Sequence, residues 1–507
     1  MESDVSVPLT DLSLDDTTDE DDEEPDTDGL GPWNLFEERV RTFARTTVWP
    51  GADDDDFTVA VDGDAWLYHR GRLTHKGTQQ AYLLHVQHAL PITRDRYPVN
   101  QAVARLRFVQ QHTKIPALDL VKLDEATNNI FNSPYMLFSW PAGGEELELM
   151  YGGSEMSLET RCQVAREVGK LYRELLEAQS SVYGRLVLDP EGKEVRVLPF
   201  TSMQIQMNEY CLEERLEFPE GDATARLSQP YEPSTTTKPG LVLDTMTALF
   251  NKWKTADLAR GEPYRFRVEL TDKMMAMAKE LSDMGYFDNM PACFGFQYTS
   301  LPSTVFNKTA DDPEFFALTA VTDLETPPNR PIFSRAIWPW ELAHLVPAFV
   351  ACVTPVRLWD WERFLGGYAE DVLNIEKAVQ GAYRDVWRPS RRLIKEAFDE
   401  AAGPVFRRLA YDPAYALARR LWRFALDGIG NGLWEGECYD MLTLWDWVKT
   451  PEDRDLVVRP GEFHEKPIIS RIRNLRKQRG LPESPLEWHD GPRPEGYWDH
   501  RFPAHYY

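Results

Sequence analysis

The stretch from Ile332 to Pro347 reads Ile-Phe-Ser-Arg-Ala-Ile-Trp-Pro-Trp-Glu-Leu-Ala-His-Leu-Val-Pro. An apolar run typical of a strand ends at Trp338, and the residues from Trp340 to Ala351 have the spacing of a helix. Pro339 offers no anionic oxygen, so Glu341 is the one carboxylate in this stretch that could contact a hard cation such as Mg²⁺. The proline at position 339 therefore leaves this stretch with a single carboxylate for binding a metal ion.

The chain around this stretch is long and rich in aromatic residues. It has 507 residues, of which 42% are hydrophobic and 12% aromatic, including 16 Trp. Such a chain can bury a large core and is long enough for two to four domains or one two-lobed unit.

The negative charge of the chain is concentrated at its beginning. Residues 1–28 carry 13 of the 82 acidic residues and no Lys or Arg, which is half of the net charge of −26. A segment of this composition, lacking aromatic residues, cannot bury enough apolar surface to fold. We therefore predict a disordered acidic tail over residues 1–30, either a solubilising tail or an interaction arm.

The cysteines and the apolar runs indicate a soluble intracellular protein. No pair of cysteines has the spacing of metal ligands, so all five are interpreted as reduced thiols: Cys162, Cys211, Cys293, Cys352 and Cys438. Residues 1–16 lack the features of a secretory signal. The longest apolar run, Leu345 to Val353, is far shorter than the ~18 residues of a membrane span. The expected location is the cytoplasm, with the nucleus as the alternative.

Hydrophobic periodicity predicts a sheet first and long helices later. The early part contains predicted helices at Trp33 to Thr47 and Val99 to His112, and predicted strands at Phe57 to Val61, Ala65 to Tyr68, Ala81 to Val86 and Ser133 to Trp140. The later part contains predicted helices at Leu158 to Gln179, Leu241 to Trp253, Arg267 to Met284, Arg391 to Leu409 and Pro413 to Gly428. Glu213 to Gly240 is interpreted as a long surface loop. This order indicates the α+β class.

Several stretches resemble the fungal branch of the aminoglycoside phosphotransferase-like family. They are Gln110 to Pro116, Ser133 to Leu137, Arg161 to Leu176 with Ser180 to Leu186, the pattern Trp340, Glu341, Ala343 and Pro347, Lys395 to Gly403, and Tyr411 to Gly428. The resemblance covers about residues 40 to 450. It implies a two-lobed protein-kinase-like fold, with a small antiparallel-sheet N-lobe over 31–142, a large mainly helical C-lobe over 143–450 and an extension over 451–507.

The resemblance also implies where the nucleotide-binding residues would lie, and two of these positions differ from the family. The family has a Lys or Arg on its third strand, where this chain has His85, a group mostly neutral at pH 7. The acidic residue that pairs with this cation on the next helix corresponds to Ala102, and nothing acidic occurs from Arg96 to Leu118.

Three further positions of the family's chemistry differ as well. Aligned on Pro302, Thr299 replaces the catalytic aspartate and Thr304 the metal-binding asparagine; a shift of one residue gives Ser300 and Val305 instead. Pro339 replaces the metal-binding aspartate. Phosphoryl transfer needs a cation on the phosphates, metal ligands and a carboxylate that orients the hydroxyl. The five substitutions therefore predict a neutral, metal-poor cleft.

Other residues could in principle restore some of this chemistry. Asp323 precedes Asn329 with a gap one residue too long for the family's motif, and Asp360 lies in an Asp-Trp-Glu sequence without the following Ala and Pro. Glu341 alone is a weak candidate for a metal ligand. The alternative interpretation is a buried carboxylate that pairs with an arginine such as Arg335 or Arg357. The turn Val61 to Asp64 is acidic and is interpreted as a hairpin rather than a phosphate loop.

The sequence thus predicts a pseudokinase that acts as a binding or scaffold module. Its partner would be a protein or a small molecule in the interlobe cleft, and no cofactor is expected. The alternative is an active phosphotransferase that uses ATP and Mg²⁺ on a small-molecule hydroxyl, with Asp323 or Asp360 as displaced acids.

The C-terminal extension contains a basic segment, Arg471 to Arg479. A short cationic run can bind nucleic acid or act in nuclear import. Because the chain is acidic, contact with its own acidic surface is the preferred interpretation, and nucleic acid is not an expected partner. The aromatic end from Trp488 to Tyr507 is expected to pack on the helical lobe.

Overall fold

The structure is a computed structural model that describes residues 33–62, 68–87, 99–141, 145–146, 156–189, 191–198, 242–261, 264–296, 303–308, 316–322, 343–355, 358–359, 389–429, 432–457 and 468–481. The predictions for the acidic tail, for Glu213 to Gly240 and for the aromatic end lie outside these residues.

A five-stranded antiparallel sheet forms the N-terminal part of the fold. Its strand order is β1-β2-β3-β5-β4. The strands are β1 Phe57–Asp62, β2 Tyr68–His75, β3 Ala81–Gln87, β4 Leu120–Asp124 and β5 Tyr135–Trp140. The predicted strand at Ala65 to Tyr68 is wrong in its bounds, because β2 begins at Tyr68 and runs to His75.

Each face of this sheet is covered by one helix, because alternate side chains of a strand point to opposite faces. Helix α1, Trp33–Phe43, packs on one face. Val40 of α1 lies so close to Gly71 of β2 that a Cβ there would be 3.2 Å from its Cγ1. The core on this side includes Phe36, Val40, Phe43, Phe57, Leu73, Leu84, Val86, Phe131 and Leu137.

Helix α2, Val99–His112, covers the other face of the sheet, and the predicted helix at these residues is confirmed. Its first half, with Val99, Ala102 and Val103, belongs to the core of the sheet. Its second half, with Ala104, Phe108 and Val109, belongs to the core of the helical region. Helix α2 therefore joins the two hydrophobic cores.

The rest of the described chain is mainly helical. Its helices are α3 Leu158–Glu177, α4 Val242–Arg260, α5 Arg265–Asp283, α6 Ala348–Ala351, α7 Pro389–Tyr411, α8 Pro413–Asp427, α9 Gly432–Val448, α10 Pro451–Val457 and α11 Ile468–Gln478. Helix α7 kinks at Gly403, which has a φ of 86° and precedes Pro404. The α+β class predicted from the sequence is confirmed.

Small antiparallel sheets accompany these helices in the described part of the chain. Their strands are β6 Glu145–Glu146, β7 Gln179–Ser180, β8 Arg185–Leu188, β9 Val195–Leu198, β10 Ala292–Phe296, β11 Ser303–Lys308, β12 Phe316–Thr322 and β13 Ala343–Pro347. The pairing orders are β13-β10-β7, β12-β11-β6 and β8-β9.

The predicted helix from Trp340 to Ala351 is wrong over most of its described part. Ala343–Pro347 is a buried strand that pairs with β10, and only Ala348–Ala351 is helical. A short apolar run does not distinguish a buried strand from a buried helix by periodicity, and here the backbone partner supplied by β10 decides the outcome.

The basic segment lies on helix α11 and packs against the chain itself. Ile472 is fully buried in the helical core. At the end of the segment, Arg479 pairs with Asp453 at 2.8 Å and its guanidinium lies 4.8 Å from the ring centroid of Trp447. No helix in the described part of the chain is long and apolar enough to cross a membrane.

Replacing Gly169 with alanine should destabilise the protein, although alanine is the better helix former. A Cβ at Gly169 on α3 would lie 2.6 Å from the carbonyl oxygen of Phe398 and 2.8 Å from the Cβ of Ala401 on α7. We expect a loss of about 1–3 kcal/mol in the free energy of unfolding, measured by urea denaturation.

The neighbouring exposed Lys170→Ala serves as a control and should change stability by no more than about 0.5 kcal/mol. If Gly169→Ala stabilised the protein, the close packing of α3 on α7 would be contradicted.

Candidate active-site cleft

His85 lies in the middle of β3, on the face of the sheet that α2 covers. It is 1% exposed. Its ring stacks on Tyr68 with 5.4 Å between centroids, and Phe138 meets it edge-on at 5.4 Å. In the described part of the structure neither ring nitrogen has a hydrogen-bond partner. The imidazole is thus held between aromatic rings.

The electrostatic environment of His85 keeps it neutral. Burial lowers its pKa well below 6.5, and the nearby guanidinium of Arg70 lowers it further. A neutral imidazole has no net charge to offer a phosphate at neutral pH. His85 therefore carries no positive charge at neutral pH.

A cation nevertheless lies one strand away, which the sequence analysis missed. Arg70 on β2 is the cross-strand partner of His85, so the two side chains share a face of the sheet. Arg70 is 3% exposed. A buried guanidinium thus lies beside the neutral imidazole. Tyr68 and Arg70 are alternate residues of one strand and therefore share a face of the sheet. Only the pairing of this strand with β3 shows that His85 lies on the same face.

The face continues toward the end of β5. The guanidinium of the exposed Arg72 lies 4.8 Å from the ring centroid of the buried Trp140. The indole nitrogen of Trp140 has no hydrogen-bond partner in the part of the chain that is described. This sheet face combines aromatic rings with two arginines and presents no carboxylate from β2, β3 or β5.

Helix α2 brings a positive charge to the same region. Ala102 is buried against the sheet, and its methyl side chain offers no charge or hydrogen bond. One turn later, Arg105 is 1% exposed, and its Nε donates a hydrogen bond of 2.7 Å to the carbonyl oxygen of Ala343. Its terminal nitrogen donates to Oε1 of Gln101 at 3.3 Å. Arg105 was also missed, because its partner lies 238 residues away in sequence.

The contact with Ala343 shows where the remaining candidate segments converge. Ala343 begins β13, directly after the stretch that contains Pro339 and Glu341, and its partner in β10 is Phe296. Phe296 ends β10 immediately before the segment aligned with the family's catalytic loop. The two segments therefore start from the same end of the β10–β13 pair, beside α2.

His344 adds a second neutral imidazole at this junction. It is buried on β13, opposite Gly295 of β10. Its pKa lies well below 6.5 because of burial, with further lowering by the positive charges of Arg105 and then Arg185.

The other candidate residues are only partly within the described structure. Thr304 lies in β11 opposite Val321 of β12. Strand β11 also pairs with β6, which places Glu145 and Glu146 opposite Phe306 and Val305. These two acidic residues were not considered from the sequence. Outside the described residues lie Thr299, Ser300, Asp323, Arg335, Pro339, Glu341, Arg357 and Asp360.

Within the described residues, no three or more His, Cys, Asp or Glu side chains form a group that could hold a metal ion. The described residues of this region include the buried guanidinium groups of Arg70 and Arg105 and the neutral imidazoles of His85 and His344.

Comparisons with known proteins found likenesses in structure but not in sequence. No family model matches the chain, and no curated protein matches it. An ethanolamine kinase from Plasmodium vivax is similar at 9% identity and a TM-score of 0.37, over 84% of this chain and 90% of that chain.

Two further solved structures are similar at comparable identity. A spectinomycin phosphotransferase solved with ADP and spectinomycin has 10% identity and a TM-score of 0.31, over 81% of this chain and 98% of that chain. A choline kinase from Cryptosporidium parvum has 9% identity and a TM-score of 0.26, over 83% and 98%. At such identities the chemistry of this chain must be judged from its own residues.

The buried neutral state of His85 should be visible in the pH dependence of stability. Its pKa is lower in the folded chain than in the unfolded chain, so the unfolded chain takes up the proton first as the pH falls. Stability present above pH 6.5 is therefore lost on acidification. We expect His85→Phe to reduce the slope of unfolding free energy against pH below 6.5 by up to about 1.4 kcal/mol per pH unit, which corresponds to one proton.

The slope is measured by urea denaturation at a series of pH values. His85→Leu should reduce it equally, since both variants lack a titrating group. A slope unchanged from that of the unmodified protein in both variants would contradict the neutral, buried assignment.

Proposed function

We propose that this chain has a kinase-like fold resembling the aminoglycoside phosphotransferases and acts as a binding or scaffold module without phosphotransfer activity. The observation that carries the proposal is His85, a fully buried and neutral imidazole at the position of the phosphate-pairing cation. The expected partner is a protein or a small molecule in the cleft between the sheet and the helical region.

Arg105 supports the proposal from the opposite side of the cleft. A kinase-like site needs a carboxylate on this helix and carboxylates that hold Mg²⁺ on the nucleotide phosphates. Helix α2 instead presents a guanidinium, bonded at 2.7 Å to the strand that follows Pro339.

The sequence adds the loss of the base and of both metal ligands, at Thr299, Thr304 and Pro339. These assignments rest on the family resemblance. Loss of a general base alone typically lowers the rate by about 10² to 10⁴. Together, the substitutions leave the chain without an evident means of turnover.

The second candidate is an active phosphotransferase that uses ATP and Mg²⁺ on a small-molecule hydroxyl. Arg70 favours it, because a buried guanidinium beside His85 could supply the phosphate-pairing charge from the neighbouring strand. This function would need displaced acids, for which Asp323 and Asp360 are the candidates. It would also need Mg²⁺, which is the property that distinguishes the two proposals.

A thermal-shift assay with ATP, in the presence and absence of Mg²⁺, separates these functions. For a module without a metal site, we expect Mg²⁺ to add nothing to whatever stabilisation ATP produces. Ligand at 100 times its Kd stabilises a protein by about 2.7 kcal/mol, a shift that the assay readily detects. Stabilisation that needs Mg²⁺ and disappears in Asp323→Ala or Asp360→Ala would overturn the pseudokinase assignment.

The role of Arg70 can be tested without a metal ion. If the cleft binds an anionic ligand, tripolyphosphate in a buffer without divalent ions should raise the melting temperature, and Arg70→Met should remove most of that increase. Arg72→Met is the matched control, since Arg72 lies on the same strand and face but is exposed. It should retain the increase. Equal increases in both variants would show that Arg70 does not contact the anion.

A further inference from the structure

Arg105 makes the main buried polar connection that the structure describes between α2 and β13. A guanidinium taken out of water is costly unless its donors are satisfied. Arg105 is 1% exposed, and its hydrogen bonds to the carbonyl oxygen of Ala343 and to Gln101 satisfy part of this need. Separating α2 from β13 would leave both the guanidinium and the Ala343 carbonyl without this partner.

The apolar contacts of α2 connect the same two parts of the fold. The rings of Phe108 on α2 and Phe294 on β10 stack with 5.7 Å between centroids. Leu188 of β8 packs against both the core of the sheet and the core of the helical region. A helix that moves between two positions must be able to break its packing contacts at a low cost in free energy. Helix α2 instead has buried residues in both its first and its second half, and they belong to two different cores.

Strand β13 is held equally firmly on its other side. All five of its residues are buried. Leu345 exchanges two backbone hydrogen bonds of 2.9 Å with Gly184, and the strand pairs with β10 along its length. Arg105 therefore attaches α2 to a strand that is itself fixed in the helical region.

We infer that Arg105 is a positioning residue that makes α2 and β13 a fixed joint, so that the N-terminal sheet and the helical region unfold and move as one body. This arrangement suits a scaffold, which must present one surface, but the inference does not depend on the proposed function. It follows from the contacts of α2 and β13.

The test combines scanning calorimetry with hydrogen exchange on the full-length chain and on Arg105→Met. We expect the unmodified chain to unfold in one transition. The variant should show two transitions. At temperatures below both transitions, the amides of β13 and α2 should exchange on the order of 10 to 100 times faster, which is the factor that corresponds to losing one hydrogen bond from a charged group. One transition at a lower temperature would mean that Arg105 only adds stability, and would overturn the inference.

Two variants on the same helix complete the design. Arg107→Met is the matched control, because Arg107 also donates to a backbone carbonyl, that of Gly192, but not to β13. It should keep one transition and unchanged exchange at β13. If Arg105→Met does not fold, Gln101→Ala decides the question, since it only releases the guanidinium from its second partner. We expect faster exchange at β13 in Gln101→Ala, and unchanged exchange would overturn the inference.

Discussion

The hydrogen bond from Arg105 to the carbonyl oxygen of Ala343, beside the apolar contacts of α2, connects the two parts of this molecule. It joins the helix that covers the N-terminal sheet to the strand that follows the Trp338 to Glu341 stretch, across 238 residues of sequence. Because the guanidinium is buried, this contact fixes the position of α2 and places a positive charge at the junction. The end of the β10–β13 pair that is formed by Phe296 and Ala343 lies at the same place.

On the sheet, the same logic relates His85 to Arg70. A lysine or arginine at position 85 would bring a second buried cation beside Arg70, and like charges directly opposite each other on a sheet destabilise it. The neutral imidazole avoids this repulsion and packs between Tyr68 and Phe138. The neutral residue at 85 and the guanidinium at 70 are thus two parts of one arrangement.

Much of the fold follows from sequence periodicity, and the departures have physical causes. Helix α2 matches its prediction, because its apolar residues recur at helical spacing and Pro116 follows closely. Strand β13 was predicted as a helix, since five apolar or neutral residues carry no period that distinguishes the two, and only the partner strand β10 decides. For the candidate site, the resemblance points to His85 and Ala102 by local alignment. Arg70 and Arg105 could not be predicted, because a cross-strand register and a contact between distant segments cannot be derived from local pattern.

The central claim is that a kinase-like scaffold has kept its cleft and lost its metal site. A crystal structure of the full-length chain grown with a nonhydrolysable ATP analogue and MgCl₂ tests this most directly. The account predicts that Arg105 stays bonded to the Ala343 carbonyl oxygen and that no carboxylate of the chain coordinates Mg²⁺. A Mg²⁺ ion at about 2.0–2.1 Å from a carboxylate oxygen of Asp323, Glu341 or Asp360 would contradict it.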